Sequence, residues 1–154
     1  MLLMLEDDRE RIGRFTEALK RVDPALPLVI WRSARKMIRE VEAFLPSARL
    51  ISLDHDLEPW GGDSEDPGDG IDVARFLAGR APACPAIVHS SNGTRSDWMI
   101  GELDLGGWDF RRVAPIGDDW IESYWGAIVR KLLRRHPPAL RLPNARPGRP
   151  GHRS

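Results

Sequence analysis

Residues 48–56 read ARLISLDHD, a short apolar run that stops abruptly on Asp54, His55 and Asp56. Leu50, Ile51 and Leu53 lack a clean apolar/polar alternation, which is the pattern of a strand covered on both faces. The next segment, LEPWGGDSEDPGDG (57–70), has turn chemistry throughout, and between Asp54 and Asp72 there are acids but no Lys or Arg. Beyond it Ile71, Val73, Ala74 and Leu77 return at helical spacing. A buried strand, an acidic loop and a helix make one βα unit, and that unit sets how the rest of the chain is parsed.

The same pattern recurs on either side. Leu2 to Leu5 is a strand ending at Glu6, Asp7 and Asp8, after which Ile12, Phe15, Leu19 and Val22 mark a helix. LPLVIW (Leu26 to Trp31) is a second strand, and Ser33 caps a helix with Met37, Ile38, Val41 and Leu45 on its apolar face. CPAIVHSSNG supplies a fourth strand, Ala86 to Ser90, followed by a weakly patterned helix from Thr94 to Leu105. DFRRVAPIG supplies a fifth, Phe110 to Ala114, and Asp118 or Asp119 is placed to cap a last helix bearing Trp120, Ile121, Tyr124, Trp125, Ile128, Val129 and Leu132. Parallel strands need crossover connections, so five βα units predict a doubly wound α/β domain: a five-stranded parallel sheet with helices on both faces.

The chain has 154 residues, enough for one domain. Residues 1–135 are assigned to it, and 136–154 form a basic tail rich in Pro, Arg and Gly, without periodicity and expected to be disordered. Net charge is zero, but no acid follows Glu122, so the average conceals an acidic loop and a basic end. The tail offers nucleic acid an electrostatic contact, with a solvated extension as the plainer reading. Cys84 is the only cysteine, which rules out an intrachain disulfide. No stretch approaches the roughly 20 apolar residues of a membrane span, and the N-terminus lacks a basic flank, so a cytoplasmic protein is expected.

In a sheet of this kind ligands bind beyond the carboxyl ends of the strands. Those ends carry Glu6 and Asp7, then Asp54, His55 and Asp56, then His89, Ser90, Ser91 and Asn92. Clustered carboxylates without cysteine suit a hard divalent ion such as Mg2+ or Mn2+. An Asp at a strand end also serves as a turn or helix cap, and Asp8 is the acid of its trio best suited to that plainer duty. Each histidine taken alone reads as a structural, hydrogen-bonded imidazole; as a pair on adjacent strand ends they become candidate acid and base. Trp60 reads as loop packing, Gly61, Gly62, Gly68 and Gly70 as turn glycines, and there is no phosphate-binding glycine motif.

These residues resemble the receiver domain of two-component response regulators. MLLMLEDDRER is similar to its first strand and acidic pair, LISLDHDL to its third strand with Asp54 at the phosphoacceptor position, DGIDVARFL to its third helix, and Ser90 stands where its Thr or Ser follows the fourth strand. The resemblance covers residues 1–135 and implies the strand order 2-1-3-4-5. It departs at the fifth strand, where the family's Lys before Pro is replaced by Ala114 before Pro115. LDHDL together with VHSSN is closer to the divergent cyclic-phosphate-processing receiver domains, which implies a pocket joining receiver acids to histidines.

That resemblance implies a divalent ion at Glu6, Asp7, Asp54 and Asp56, the last through its backbone carbonyl, with Ser90 and Ser91 towards phosphate. His55 and His89 then serve as general base and general acid beside Asp54. The expected function is a metal-dependent phosphoesterase acting on cyclic phosphate in a phosphorylated small molecule or RNA end. Two alternatives stand beside it: a stand-alone phosphoacceptor receiver, and a non-catalytic interaction module of the same fold.

Overall fold

The computed structural model describes residues 1–138. Five parallel strands, β1 (Leu2–Leu5), β2 (Leu28–Trp31), β3 (Leu50–Leu53), β4 (Ala86–Val88) and β5 (Phe110–Arg112), form one sheet in the order β2-β1-β3-β4-β5. The helices are α1 (Arg9–Val22), α2 (Ala34–Glu40), α3 (Gly70–Ala78), α4 (Gly93–Leu105) and α5 (Gly126–Arg135). The doubly wound α/β fold and the 2-1-3-4-5 order are therefore as expected.

The strands sort their side chains by parity, because successive residues of a strand point to opposite faces. Leu3, Leu5, Ile51, Leu53, Ala86 and Val88 join the core formed with α2, α3 and α4. Leu2, Met4, Leu50 and Ile87 join the other core, with Phe15 of α1 and Val129 of α5. All of these strand residues are fully buried, which is why they show no polar alternation.

Asp8 accepts from Arg11 N at 2.9 Å and caps α1, and Ser33 caps α2 through Lys36 N. The strands are shorter than the apolar runs suggested: β2 begins at Leu28 instead of Leu26, β4 stops at Val88 instead of Ser90, and β5 stops at Arg112 instead of Ala114. The expected acidic cap on the last helix is not made. That helix begins with a π-helical stretch, Trp120–Trp125, and Asp119 makes no side-chain cap bond. The wider winding lets both Trp120 and Trp125 face Phe15, at 5.6 and 4.7 Å between ring centroids.

Gly70 is not a turn glycine. Its backbone N–H donates to His55 O at 2.9 Å, and a Cβ there would overlap the carbonyl oxygen of Asp54 and lie 2.8 Å from His55 Cα. The start of α3 thus rests on the backbone at the end of β3, an approach only glycine permits. Most of the predicted tail, residues 139–154, lies outside the described residues.

Candidate functional site

β1 and β3 are adjacent, so their carboxyl ends bring Glu6, Asp7 and Asp54 together: ligand atoms of all three lie within 4.8 Å of one another. Above them lies an open depression of about 450 Å3 lined by Asp7, Asp54, Asp56, Glu58, Trp60 and Ser91, with Arg11 at its side. Asp56 lines the depression but stands outside the three-acid group.

Glu6 is fully buried and the most heavily bonded of the acids. Oε1 accepts from the backbone N–H groups of Asp7 and Asp8, both at 3.0 Å, while Oε2 lies 3.1 Å from His89 Nε2 and 3.2 Å from Arg11 Nη2. Burial alone would raise its pKa, but the His89 hydrogen bond and the nearby His89 and Arg11 charges hold it below the usual carboxylate value. Asp7 is half-buried and its pKa is raised by that burial, although Oδ2 accepts from Glu58 N at 2.6 Å. Asp54 is only 4% exposed; burial and the neighbouring Glu6 lift its pKa to about 6 against the opposing influence of His89 and Arg11. The three acids thus form a site short of positive charge. Its donor set is all carboxylate oxygen, which fits Mg2+ or Mn2+.

The two histidines do not meet in the pocket. His89 continues the parity of Ile87 and enters the α1/α5 side of the sheet, where it is fully buried 4.9 Å from the Phe15 ring and 6.3 Å from that of Trp120. Both of its nitrogens are occupied, Nδ1 with Ser52 Oγ at 2.7 Å and Nε2 with Glu6. Trp125 Nε1 donates to the same Ser52 hydroxyl at 3.0 Å, so a chain of bonds runs from the π-helical stretch to Glu6.

His55 follows the opposite parity to Asp54. It is 2% exposed, its Nδ1 lies 2.7 Å from Asp56 Oδ1, and its Nε2 is buried without a partner. Asn92 Nδ2 donates to the other Asp56 oxygen at 3.4 Å. Each imidazole therefore touches a carboxylate, and neither lines the depression. Ser91 lines it; Ser90 is buried, with Oγ accepting from Asn92 N at 3.2 Å.

Arg11 is the site residue that sequence reading missed. It sits on the first turn of α1, lines the depression, and reaches Glu6 at 3.2 Å and Asp54 Oδ2 at 3.8 Å. In DDRER it looks like any exposed helical charge; the available signal was its place one helical turn beyond the acidic pair. The arginines of β5 do not stand in for the missing fifth-strand Lys. Arg111 pairs with Asp109 at 2.6 Å and Arg112 with Asp97 at 3.2 Å. Trp60 is held down: its Nε1 donates to Asp7 O at 2.7 Å, and the guanidinium groups of Arg9 and Arg32 lie 3.9 and 3.4 Å from its ring centroid.

Several solved structures share this architecture. A response regulator receiver domain from Rhodospirillum rubrum is 15% identical, covers 85% of this chain and 89% of its own, and superposes with a TM-score of 0.60. The phosphorylated cyanobacterial phytochrome response regulator RcpA gives 18% identity over 88% and 91%, at 0.58. The Mn(2+)-bound form of the response regulator Rcp1 gives 19% over 92% and 97%, at 0.53. At these identities the likeness is one of fold. No curated protein sequence matches the chain. The family model for the cyclic-phosphate processing receiver domain matches residues 1–105, a span that includes all three clustered acids and both histidines. The chain belongs to the cyclic-phosphate processing receiver domain family.

Proposed function

We propose that this protein is a metal-dependent phosphoesterase that opens a cyclic phosphate, such as the 2',3'-cyclic phosphate of a nucleotide or RNA end, in the depression over Asp54. The observation that supports it is the convergence of Glu6, Asp7 and Asp54 beneath an open, polar depression in a chain of this family. Asp7 and Asp54 would hold the divalent ion, and Glu6, with both oxygens already bonded, would add charge beside it. When bound, such an ion polarises a phosphoryl oxygen and offsets charge on the departing one.

In this reading the chain's own residues supply the remainder. Asp56, facing the depression and held by His55 and Asn92, takes a proton from the attacking water. The water oxygen bonds to phosphorus, one ring P–O bond breaks, and the departing oxygen is protonated by solvent, to which the depression is open. His55 acts through Asp56, and His89 acts through Glu6.

The test is turnover of a 2',3'-cyclic nucleotide by the purified protein with Mn2+ or Mg2+. Asp56→Asn is expected to reduce it by about 100-fold or more, in the range of a lost general base, and Asp54→Asn to abolish it. Equal rates in the parent and in Asp54→Asn would refute the reading.

One observation favours a second reading. Asp54 borders the depression and both imidazoles are withheld from it, and an aspartate phosphoacceptor needs neither. A phosphoacceptor receiver predicts alkali- and hydroxylamine-labile labelling by acetyl phosphate that requires Asp54 and persists without His55.

A further inference from the structure

Among the described residues, the depression is lined by Asp7, Asp8, Asp54, Asp56 and Glu58, and by a single cation, Arg11. Its guanidinium is shared out instead of seated on one acceptor. Nη2 lies 3.2 Å from Glu6 Oε2 and 3.4 Å from the carbonyl oxygen of His89, Nη1 lies 3.8 Å from Asp54 Oδ2, and Nε is buried with no partner. A guanidinium bonds best when two parallel N–H groups meet two oxygens of one planar carboxylate or one phosphate, and Arg11 has neither. The guanidinium lies 5.3 Å from the Trp120 ring centroid, and the side chain lines the pocket and remains 24% exposed.

A divalent ion bound to Asp7 and Asp54 would compete with Arg11 for the Asp54 carboxylate, which Arg11 reaches through Oδ2 at 3.8 Å. An ion on Asp54 would weaken the hold of that carboxylate on Arg11, already long at 3.8 Å, and the long arginine stem is the part able to move. We propose that Arg11 is the phosphoryl-binding cation of this pocket: it neutralises Glu6 and Asp54 until a divalent ion arrives, then turns its fork onto a non-bridging oxygen of the bound phosphate. This rests on the reading above, that the pocket takes an ion and a phosphoryl group. Arg11 then contributes to ion binding and to phosphate binding with opposite signs, which a purely structural counter-ion does not.

The experiment is calorimetric titration of the full chain, first with Mn2+ and then, Mn2+-loaded, with orthovanadate, for the parent, Arg11→Ala and Arg11→Lys. Arg11→Ala is expected to bind Mn2+ as well as the parent or better, and vanadate at least about tenfold more weakly, the scale of one lost charge-assisted hydrogen bond. Arg11→Lys should fall between, since it keeps the charge and loses the fork. Unchanged vanadate affinity in Arg11→Ala overturns the proposal, and so does a parallel loss of Mn2+ and vanadate binding, which would mark Arg11 as a structural prop. If the parent binds neither Mn2+ nor vanadate, the parent reading fails, a result distinct from either of these.

Discussion

His89 Nε2 lies 3.1 Å from Glu6 Oε2, and both side chains are fully buried. The imidazole that sequence spacing offered as a catalytic acid is engaged instead in holding one member of the acidic cluster, with Ser52 and Trp125 behind it. Because His89 holds the Glu6 carboxylate whose charge lies beside the proposed ion, His89→Ala is expected to weaken Mn2+ binding by about tenfold. It should also cost roughly 3 kcal/mol of stability by leaving Glu6 and Ser52 buried with fewer partners. Chemical denaturation and metal titration of the same preparations check both. His89→Gln, able to bond both neighbours, should recover part of each.

His55 predicts a different outcome. Its Nε2 is a buried nitrogen with no partner, and its one side-chain bond goes to a half-exposed carboxylate. His55→Leu should therefore change stability by less than about 1 kcal/mol, the lost bond being offset by removal of an unsatisfied polar atom. Turnover should nonetheless fall, because Asp56 loses the group that orients it. As the two histidines lie on opposite faces of the sheet with separate partners, stability changes of His55→Leu and His89→Gln should add to within about 0.5 kcal/mol in the double variant.

The pH dependence follows from Asp54. Its carboxyl has a folded-state pKa of about 6, above the ordinary 3.8 expected in the unfolded chain. Between those values the folded protein keeps a proton on Asp54 that the unfolded chain has lost, so the contribution of Asp54 to metal-free stability falls as pH rises from about 4 to 6 and stays lower above. A shift of roughly two units corresponds to about 3 kcal/mol. Asp54→Asn should remove most of that slope and, without metal at pH 7, raise the melting temperature while destroying ion binding. Melting curves of the parent and Asp54→Asn from pH 4 to 8 with and without Mn2+ test it; the same slope over pH 4 to 6 in both proteins would refute it.

Gly70→Ala should be among the most damaging single-methyl changes in the chain. The added carbon meets the backbone of Asp54 and His55, which cannot rotate away, so α3 or the end of β3 must move. We expect about 2–3 kcal/mol of destabilisation by overpacking, with weakened Mn2+ binding because Asp54 moves too. Gly13→Ala, where the new carbon meets nothing within 4 Å, is the control and should be neutral or mildly stabilising in its helix.

The fold was legible because β1 and β3 are apolar at nearly every position, a pattern that two-sided burial demands. Its carboxyl edge was legible for the same reason: Glu6 and Asp54 are the first charges after each run. Parity was the step not taken. Asp54 and His55 are neighbours in sequence, and a strand end sends neighbours to opposite faces, so only one of them shares a side with His89. Arg11 was hidden among Arg9, Glu10 and Arg14, where only the docking angle of α1 selects it. The π-helical start of the last helix was likewise invisible, since Trp120, Ile121, Tyr124 and Trp125 satisfy ordinary helical spacing and the wider turn is set by Phe15 and Ser52.

The hydrogen bond from Gly70 N to His55 O closes the acidic segment at its base. The segment between Asp56 and Asp69 is thereby a detour that leaves and rejoins the framework at one point, pinned again along its way by Glu58 and Trp60 on Asp7 and by Asp66 and Pro67 on Arg35. Lengthening a loop already closed costs little, only about 0.6 kcal/mol per doubling. Residues 61–64 lie between those anchors, so the outer rim can change in number and kind for a new ligand while the floor on which Asp54 sits is inherited intact.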